Sequence, residues 1–189
     1  MVPDPLMDGG RGQLIARLRA FAAAATDARD RDLAEEFAQF AAAHDDCLLR
    51  SCVTGHFTGS AWVVDAGRGR TLLTHHRKLD KWLQLGGHAD GEADLAAVAL
   101  REAQEESGLA GVRIVTNEIF DLDRHLIPAR KDEPAHWHYD VRFVIEADPA
   151  EPLVVTSESK DLAWVDLAEV ARLNPEESML RMVRRTERA

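Results

Sequence analysis

Glu102, Glu105 and Glu106 fall within five positions of one another in LREAQEESGL, residues 100–109. Residues three and four apart share a helix face, so on a helix these carboxylates crowd together. Like charges at that spacing destabilise a helix by a few tenths of a kcal/mol per pair. A surface helix would relieve the crowding with interleaved Lys, yet residues 89–111 contain no Lys and one Arg, Arg101. Two readings follow. Either the stretch is a solvated helix face ended by Gly108 as C-cap, or the carboxylates converge on a hard divalent cation, which turns repulsion into coordination. The spacing favours the second.

The elements around the glutamates have to position them. WLQLGGHADGEADLAAVAL precedes them. Gly86-Gly87 permits a tight turn and close backbone approach by a ligand, and a glycine-rich loop feeding a helix can present N–H groups to an anion. Leu95, Val98, Ala99 and Ala103 form the apolar stripe that seats the helix on a sheet and leaves the glutamates facing elsewhere.

Gly87 to Leu109 resembles the Nudix box, whose pattern is Gly, five residues, Glu, seven residues, then Arg-Glu-apolar-x-Glu-Glu-x-Gly-apolar. Residues 101–109, REAQEESGL, match the second half at every fixed position. The first half departs from the pattern: Ala93 stands where its Glu belongs, with Glu92 one place early and Asp94 one place late, either of which could substitute. The resemblance implies a Nudix-like α/β/α sandwich with a mixed sheet and hydrolysis of a nucleoside-diphosphate-linked small molecule with Mg²⁺ or Mn²⁺. It implies Glu102, Glu105 and Glu106 as metal ligands, with the Gly87 carbonyl as a further ligand and Arg101 orienting the glutamates by an ion pair. Glu105 or Glu106 would be the general base. Glu158, in TSESKDLAWV, is a distal acid of the sort that many Nudix enzymes use as ligand or base; a solvated loop Glu is the alternative.

Candidate substrate-binding residues lie on either side of the box. His136, His138 and Arg142 share one face of a strand with Asp140 and could line a cleft, or be satisfied polar groups of a covered sheet. Arg77, Lys78 and Lys81 are the cations nearest the box and could meet phosphate. Trp82 could stack on a base or simply pack.

The rest of the chain supplies the frame. Residues 11–45 carry Leu14, Leu18, Phe21 and Ala25, then Leu33, Phe37 and Phe40, at helical spacing about the polar break TDARDRD, which predicts a helical hairpin. The expected organisation is a helical extension over 1–45 and a Nudix domain over 46–189. HFTGSAWVVD and RTLLTHH read as a β-hairpin about AGRGR. VRIVTNEIFDLDRH is a further strand region, and HWHYDVRFVIEA alternates most clearly. DLAEVARL reads as a short helix capped by Asp166, and a last helix follows Asn174-Pro175. The Nudix-like order of elements runs over roughly residues 50–172.

Composition sets the outer limits. The 189 residues suit one domain or a domain with an extension. With 23 basic and 33 acidic side chains and no basic cluster, the net charge of −10 argues against a nucleic-acid polymer as partner. A small anionic diphosphate is compatible if a cation bridges it to the acids. No apolar run reaches membrane length, no signal peptide opens the chain, and Cys47 and Cys52 form no CxxC pair, so a cytoplasmic protein with reduced thiols is expected. A homodimer is a possible assembly. Two alternatives to hydrolysis stay open: a diphosphate isomerase on this fold, which would use Cys52, and a non-catalytic ligand-binding Nudix domain.

Overall fold

In the computed structural model, which describes residues 9–130, 133–157 and 159–188, the polar break of the N-terminal segment separates two helices, α1 (Gly10–Ala24) and α2 (Ala28–Ala43). Asp27 starts the second, its carboxylate accepting the Arg29 N–H at 2.9 Å. Leu14, Ile15, Leu18 and Ala22 of α1 are buried, as are Ala34, Phe37, Ala38, Phe40 and Ala41 of α2. The expected hairpin forms.

Ten strand and helix segments follow: β1 (Gly55–Val64), β2 (Arg70–His76), β3 (Lys81–Leu83), β4 (Leu85–His88), α3 (Leu95–Ser107), β5 (Arg113–Ile114), β6 (Asp121–Ile127), β7 (His136–Glu146), β8 (Ser159–Asp166) and the short α4 (Val170–Leu173); α5 (Glu177–Thr186) closes the chain. The path β3-β2-β1-β7-β5 is joined by β4 on β1, β6 on β7 and β8 on β2. The β1–β2, β2–β8 and β6–β7 pairs are antiparallel. Along β1 and β7, Trp137 N–H bonds Thr54 O at 3.1 Å and Ala147 N–H bonds Val64 O at 3.0 Å. The constant offset marks these strands as parallel, so the sheet is mixed and the class α/β.

The described residues form two compact units. One comprises the chain up to Gly59 with His88–Val98 and Glu118–Arg142. Its core is aromatic: the Phe37 ring meets Tyr139 edge-on at 5.1 Å, Phe40 stacks on Tyr139 at 3.9 Å, and Phe37 also meets Phe57 at 5.8 Å. The helical hairpin thus shares a core with β1 and β7. The other unit comprises Ser60–Gly87, Ala99–Asn117 and Phe143 onward. There Trp62 is fully buried and its indole N–H donates to Thr186 Oγ1 at 2.8 Å, fixing α5.

Every residue of β1 is buried. A strand covered on both faces buries its polar His56, Thr58 and Ser60 as well as its apolar Phe57, Ala61, Trp62, Val63 and Val64. DLAEVARL differs from expectation. Leu167–Glu169 is a 3₁₀ turn leading into the single turn of α4, and the Asp166 side chain makes no capping bond. The ladder explains it: Asp166 still pairs with Arg70, and Leu167 N–H bonds Gly69 O at 3.0 Å, so the backbone at the cap position belongs to β8.

Candidate active site and a histidine cluster

Helix α3 presents its glutamates unequally. Glu102 is mostly buried, and a Cβ built on Gly87 would fall 2.4–2.7 Å from its carboxyl atoms. Gly87 therefore leaves room that any side chain would fill, directly against a carboxylate. Gly86 comes close in a second way, its N–H donating to Glu106 Oε2 at 3.3 Å, and its own Cβ would lie 2.4 Å from Ser60 Oγ. Glu102 and Glu106, one helical turn apart, converge on the glycine pair. Glu105 is turned away from them: its side chain is 64% exposed, with Oε1 4.0 Å from Arg101 Nε. Arg101 Nη2 reaches Glu102 Oε1 at 3.0 Å, so the guanidinium stands between Glu102 and Glu105.

The helix ends as the sequence suggests. Gly108 has φ +73° and its N–H bonds Gln104 O at 2.8 Å, the left-handed close that favours glycine. At the other end Asp94 serves the backbone. Its carboxylate accepts the Ala96 N–H at 3.2 Å and pairs with Arg17 of α1 at the same distance. Glu92 accepts the Asp94 N–H at 2.9 Å. Ala93 lies against Gly10, whose added Cβ would meet the alanine Cβ at 2.4 Å. The position that carries Glu in the family pattern is here packed against the start of the N-terminal hairpin.

The residues before the box are engaged with protein. Arg77 donates from Nε to Ser157 O at 3.0 Å and from Nη2 to Ser159 O at 2.7 Å. His75 stacks on Trp82 with ring centres 5.1 Å apart and bonds Asp80 at 2.8 Å. Lys81 pairs with Glu176. Glu158 lies outside the described residues.

Arg142 is buried among carboxylates. It contacts Asp140 Oδ2 at 2.7 Å, Asp121 Oδ2 at 3.1 Å and Asp123 Oδ2 at 3.5 Å. Burial opposes its charge, but the acids outweigh burial and hold its pKa above the usual arginine range. Asp140 also accepts from Thr58 Oγ1 at 2.8 Å. The strand face that carries Arg142 is thus a satisfied network at this end.

At the other end of that face the histidines gather. His136 and His138 of β7 are joined by His56 of β1 and His88 of β4, with ring centres 4.9–5.2 Å apart in every contacting pair. Burial first, then the neighbouring imidazoles His88 and His125, push the His138 pKa down to about 2. Burial and nearby Arg50 and His56 bring His88 to about 4. Burial and His136 also lower His56. Burial thus disfavours the charged forms of His56, His88 and His138. Sequence reading found His136 and His138 by their alternation on one strand; it missed His56 and His88, since only the pairing of β1 with β7 and β4 brings them there.

Comparison with known proteins bears on the family and the fold. The NUDIX domain family model matches residues 56–185, more than two thirds of the chain. The chain belongs to the Nudix family and is a Nudix hydrolase. Among solved structures it resembles a C. elegans Ap4A hydrolase binary complex at 15% identity and TM-score 0.56, covering 70% of this chain and 95% of that one. An E. coli dihydroneopterin triphosphate pyrophosphohydrolase aligns at 14% identity and TM-score 0.54, covering 70% and 96%. A UDP-X diphosphatase aligns at 13% identity and TM-score 0.51 over 94% of this chain and 92% of its own, so the likeness of fold reaches the N-terminal helices. No curated protein matches significantly.

Proposed function

We propose that this Nudix hydrolase cleaves the diphosphate of a small molecule, such as a nucleoside-diphosphate-linked compound, by water attack on phosphorus, with Mg²⁺ or Mn²⁺. The observation that carries the reading is the convergence of Glu102 and Glu106 on Gly86-Gly87. The residues fit a hard cation: carboxylate oxygens sit beside a backbone stretch that lacks a side chain, and the Gly87 cradle would close if a Cβ stood there. Glu102, Glu106 and the Gly87 carbonyl would hold the metal, with Glu105 contributing on rotation of its exposed side chain. When bound, the metal supplies charge neutralisation at the phosphoryl oxygens and acidifies water.

The chain's own groups do the rest. Arg101 restrains Glu102 through the contact of Nη2 with Oε1. Glu105 or Glu106 accepts the proton of the attacking water, whose oxygen bonds to phosphorus as the bridging P–O bond breaks and the leaving phosphate departs. Glu158 is a further candidate base on the family resemblance. Arg77, His136, His138 and Arg142 are retained as candidate substrate contacts; their present bonds to protein make them positioning groups first. Neither Glu92 nor Asp94 is assigned the missing glutamate's part, since both carboxylates accept backbone N–H bonds. A cytoplasmic, reduced setting and a small-molecule rather than polymer or membrane partner belong to the same reading, and dimerisation is left to measurement. No helix among the described residues is long and apolar enough to cross a membrane.

The diphosphate isomerase reading would need a reactive Cys52, which is 4% exposed and lies against Thr54 Oγ1 at 3.6 Å. The non-catalytic reading would be expected to lose box glutamates that are here in place. The deciding experiment is a panel of nucleoside triphosphates, ADP-ribose, dinucleoside polyphosphates, nucleoside-diphosphate sugars and coenzyme A with Mg²⁺ and Mn²⁺ in ¹⁸O-labelled water. Label in a phosphate-containing product supports hydrolysis at phosphorus. Rearranged diphosphate without label, abolished in Cys52→Ser, would replace it with the isomerase.

A further inference from the structure

His56, His136 and His138 each place one ring nitrogen within 4.8 Å of the others. They come from two strands that run side by side. His136 and His138 are two apart on β7 and so point to one face, while His56 on β1 turns its ring against theirs at 4.9 Å from each. None of this belongs to the glutamate helix, whose carboxylate oxygens suit a hard cation.

Three details make this a ligand set rather than a packed aromatic group. His136 Nδ1 lies 2.9 Å from Pro134 O. A carbonyl can only accept, so Nδ1 carries the hydrogen and the lone pair sits on Nε2. That is how an outer-shell carbonyl orients a metal-binding imidazole. The His136 Nε2 then faces His138 Nε2 at 3.3 Å, which is about the edge of a tetrahedron whose metal–nitrogen bonds are ~2.0–2.1 Å. His56 is 2% exposed, and neither of its ring nitrogens makes a hydrogen bond of normal geometry, although the Cys52 backbone approaches the ring. A buried imidazole so poorly matched needs an explanation, and a cation at the shared point provides one.

We propose that His56, His136 and His138 form a second metal site, built for a borderline d-block cation such as Zn²⁺, with the Glu133 carboxylate, 3.8 Å from His136 Nε2, as fourth ligand. Imidazole donors select Zn²⁺, Ni²⁺ or Cu²⁺ over Mg²⁺, so this site and the glutamate helix would sort two kinds of metal within one chain. The occupied site clasps β1 to β7 and stabilises the folded state by mass action. The inference is independent of the pyrophosphohydrolase reading.

The test uses the full chain stripped of metal, titrated with Zn²⁺ in a large excess of Mg²⁺, with Co²⁺ as a spectroscopic substitute. One Zn²⁺ per chain is expected, with a rise in Tm and, for Co²⁺, the intense visible bands of a tetrahedral site. His136→Gln and His138→Gln should each lower Zn²⁺ affinity by at least about 100-fold, at or beyond the 10–100-fold range of outer-shell changes, while circular dichroism stays native. His138 is only half-buried, so its variant keeps the test interpretable if His136→Gln fails to fold. The double variant Glu102→Gln, Glu106→Gln should bind Zn²⁺ as the wild type does. No Zn²⁺ binding in the presence of Mg²⁺, affinity unchanged in folded His138→Gln, or binding lost in the glutamate double variant would each overturn the proposal.

Discussion

Among the three box glutamates, the structure separates positions that the sequence spacing alone left equal. Glu106 touches the glycine pair through the Gly86 N–H, where Gly86-Gly87 lie in strand β4 rather than in the tight turn the sequence suggested, whereas Glu105 is exposed beside Arg101. Replacing Glu106 by Gln keeps size and helix propensity but removes a charge and a proton acceptor. On a confirmed substrate its turnover at saturating Mg²⁺ should fall by roughly two or more orders of magnitude, the scale for losing a positioned base or electrostatic stabiliser. Metal-free Tm should hold or rise slightly, because a repulsive carboxylate has gone. A structural glutamate would show the reverse, a lower Tm with turnover kept. The same pair of measurements on Glu105→Gln and Glu158→Gln identifies the base. Gly87→Ala tests the cradle. The added methyl meets the far end of a flexible side chain, so the fold tolerates it, but the Glu102 carboxyl must move. Loss of Mg²⁺-dependent turnover with Tm nearly unchanged is expected; wild-type turnover would show that the close approach of Gly87 is irrelevant.

At the scale of elements, the N-terminal hairpin is part of a core rather than an appendage. Phe37 is fully buried and meets both Phe57 on β1 and Tyr139 on β7. Phe37→Ala should cost about 3–5 kcal/mol, the range for truncating a buried aromatic ring. That cost should appear as a lower denaturant midpoint for the entire cooperative transition. A separate early transition, with the main one unmoved, would show that α2 unfolds on its own. The Arg17–Asp94 pair and the Gly10–Ala93 contact further tie α1 to the loop before α3. They give Ala93 a structural reason: a glutamate there would have to displace the start of α1.

For the molecule as a whole, pH acts through the buried thiol of Cys47. Burial is the main cause that pushes its pKa from 9.0 up to about 11, with nearby Arg11 opposing. Above pH 9 the unfolded chain ionises this thiol while the folded chain keeps it protonated. The folded state then holds the extra proton, and stability falls as pH rises from 9 towards 11. At full extent the loss is on the order of 2–3 kcal/mol. Urea unfolding over this range should show the decline in wild type and a flatter profile in Cys47→Ala. Equal slopes would remove Cys47 as the cause. Below pH 9 this group contributes no pH dependence.

Local pattern was enough for a good part of this protein. The glutamate spacing, the glycine pair before it and the apolar stripe of α3 identify the helix and its family, because a helix face and a glycine's missing side chain are properties of short stretches. The helical hairpin and the strands β1, β2 and β7 were legible for the same reason, each being a run with its own period or turn. Asp166 misled, since whether a residue caps a helix or ends a strand depends on the partner strand, here Arg70. Arg77 looks in sequence like a cation that could meet phosphate, and Arg142 like a cleft residue or a satisfied polar group; folding engages Arg77 with the Ser157 and Ser159 carbonyls and Arg142 with three aspartates. His56 was invisible as a ligand because its partners stand eighty residues away and reach it only through the parallel pairing of β1 with β7. Periodicity records what one segment does to its own side chains; which side chains from distant segments meet is decided by strand order and register, and those exist only in the tertiary structure.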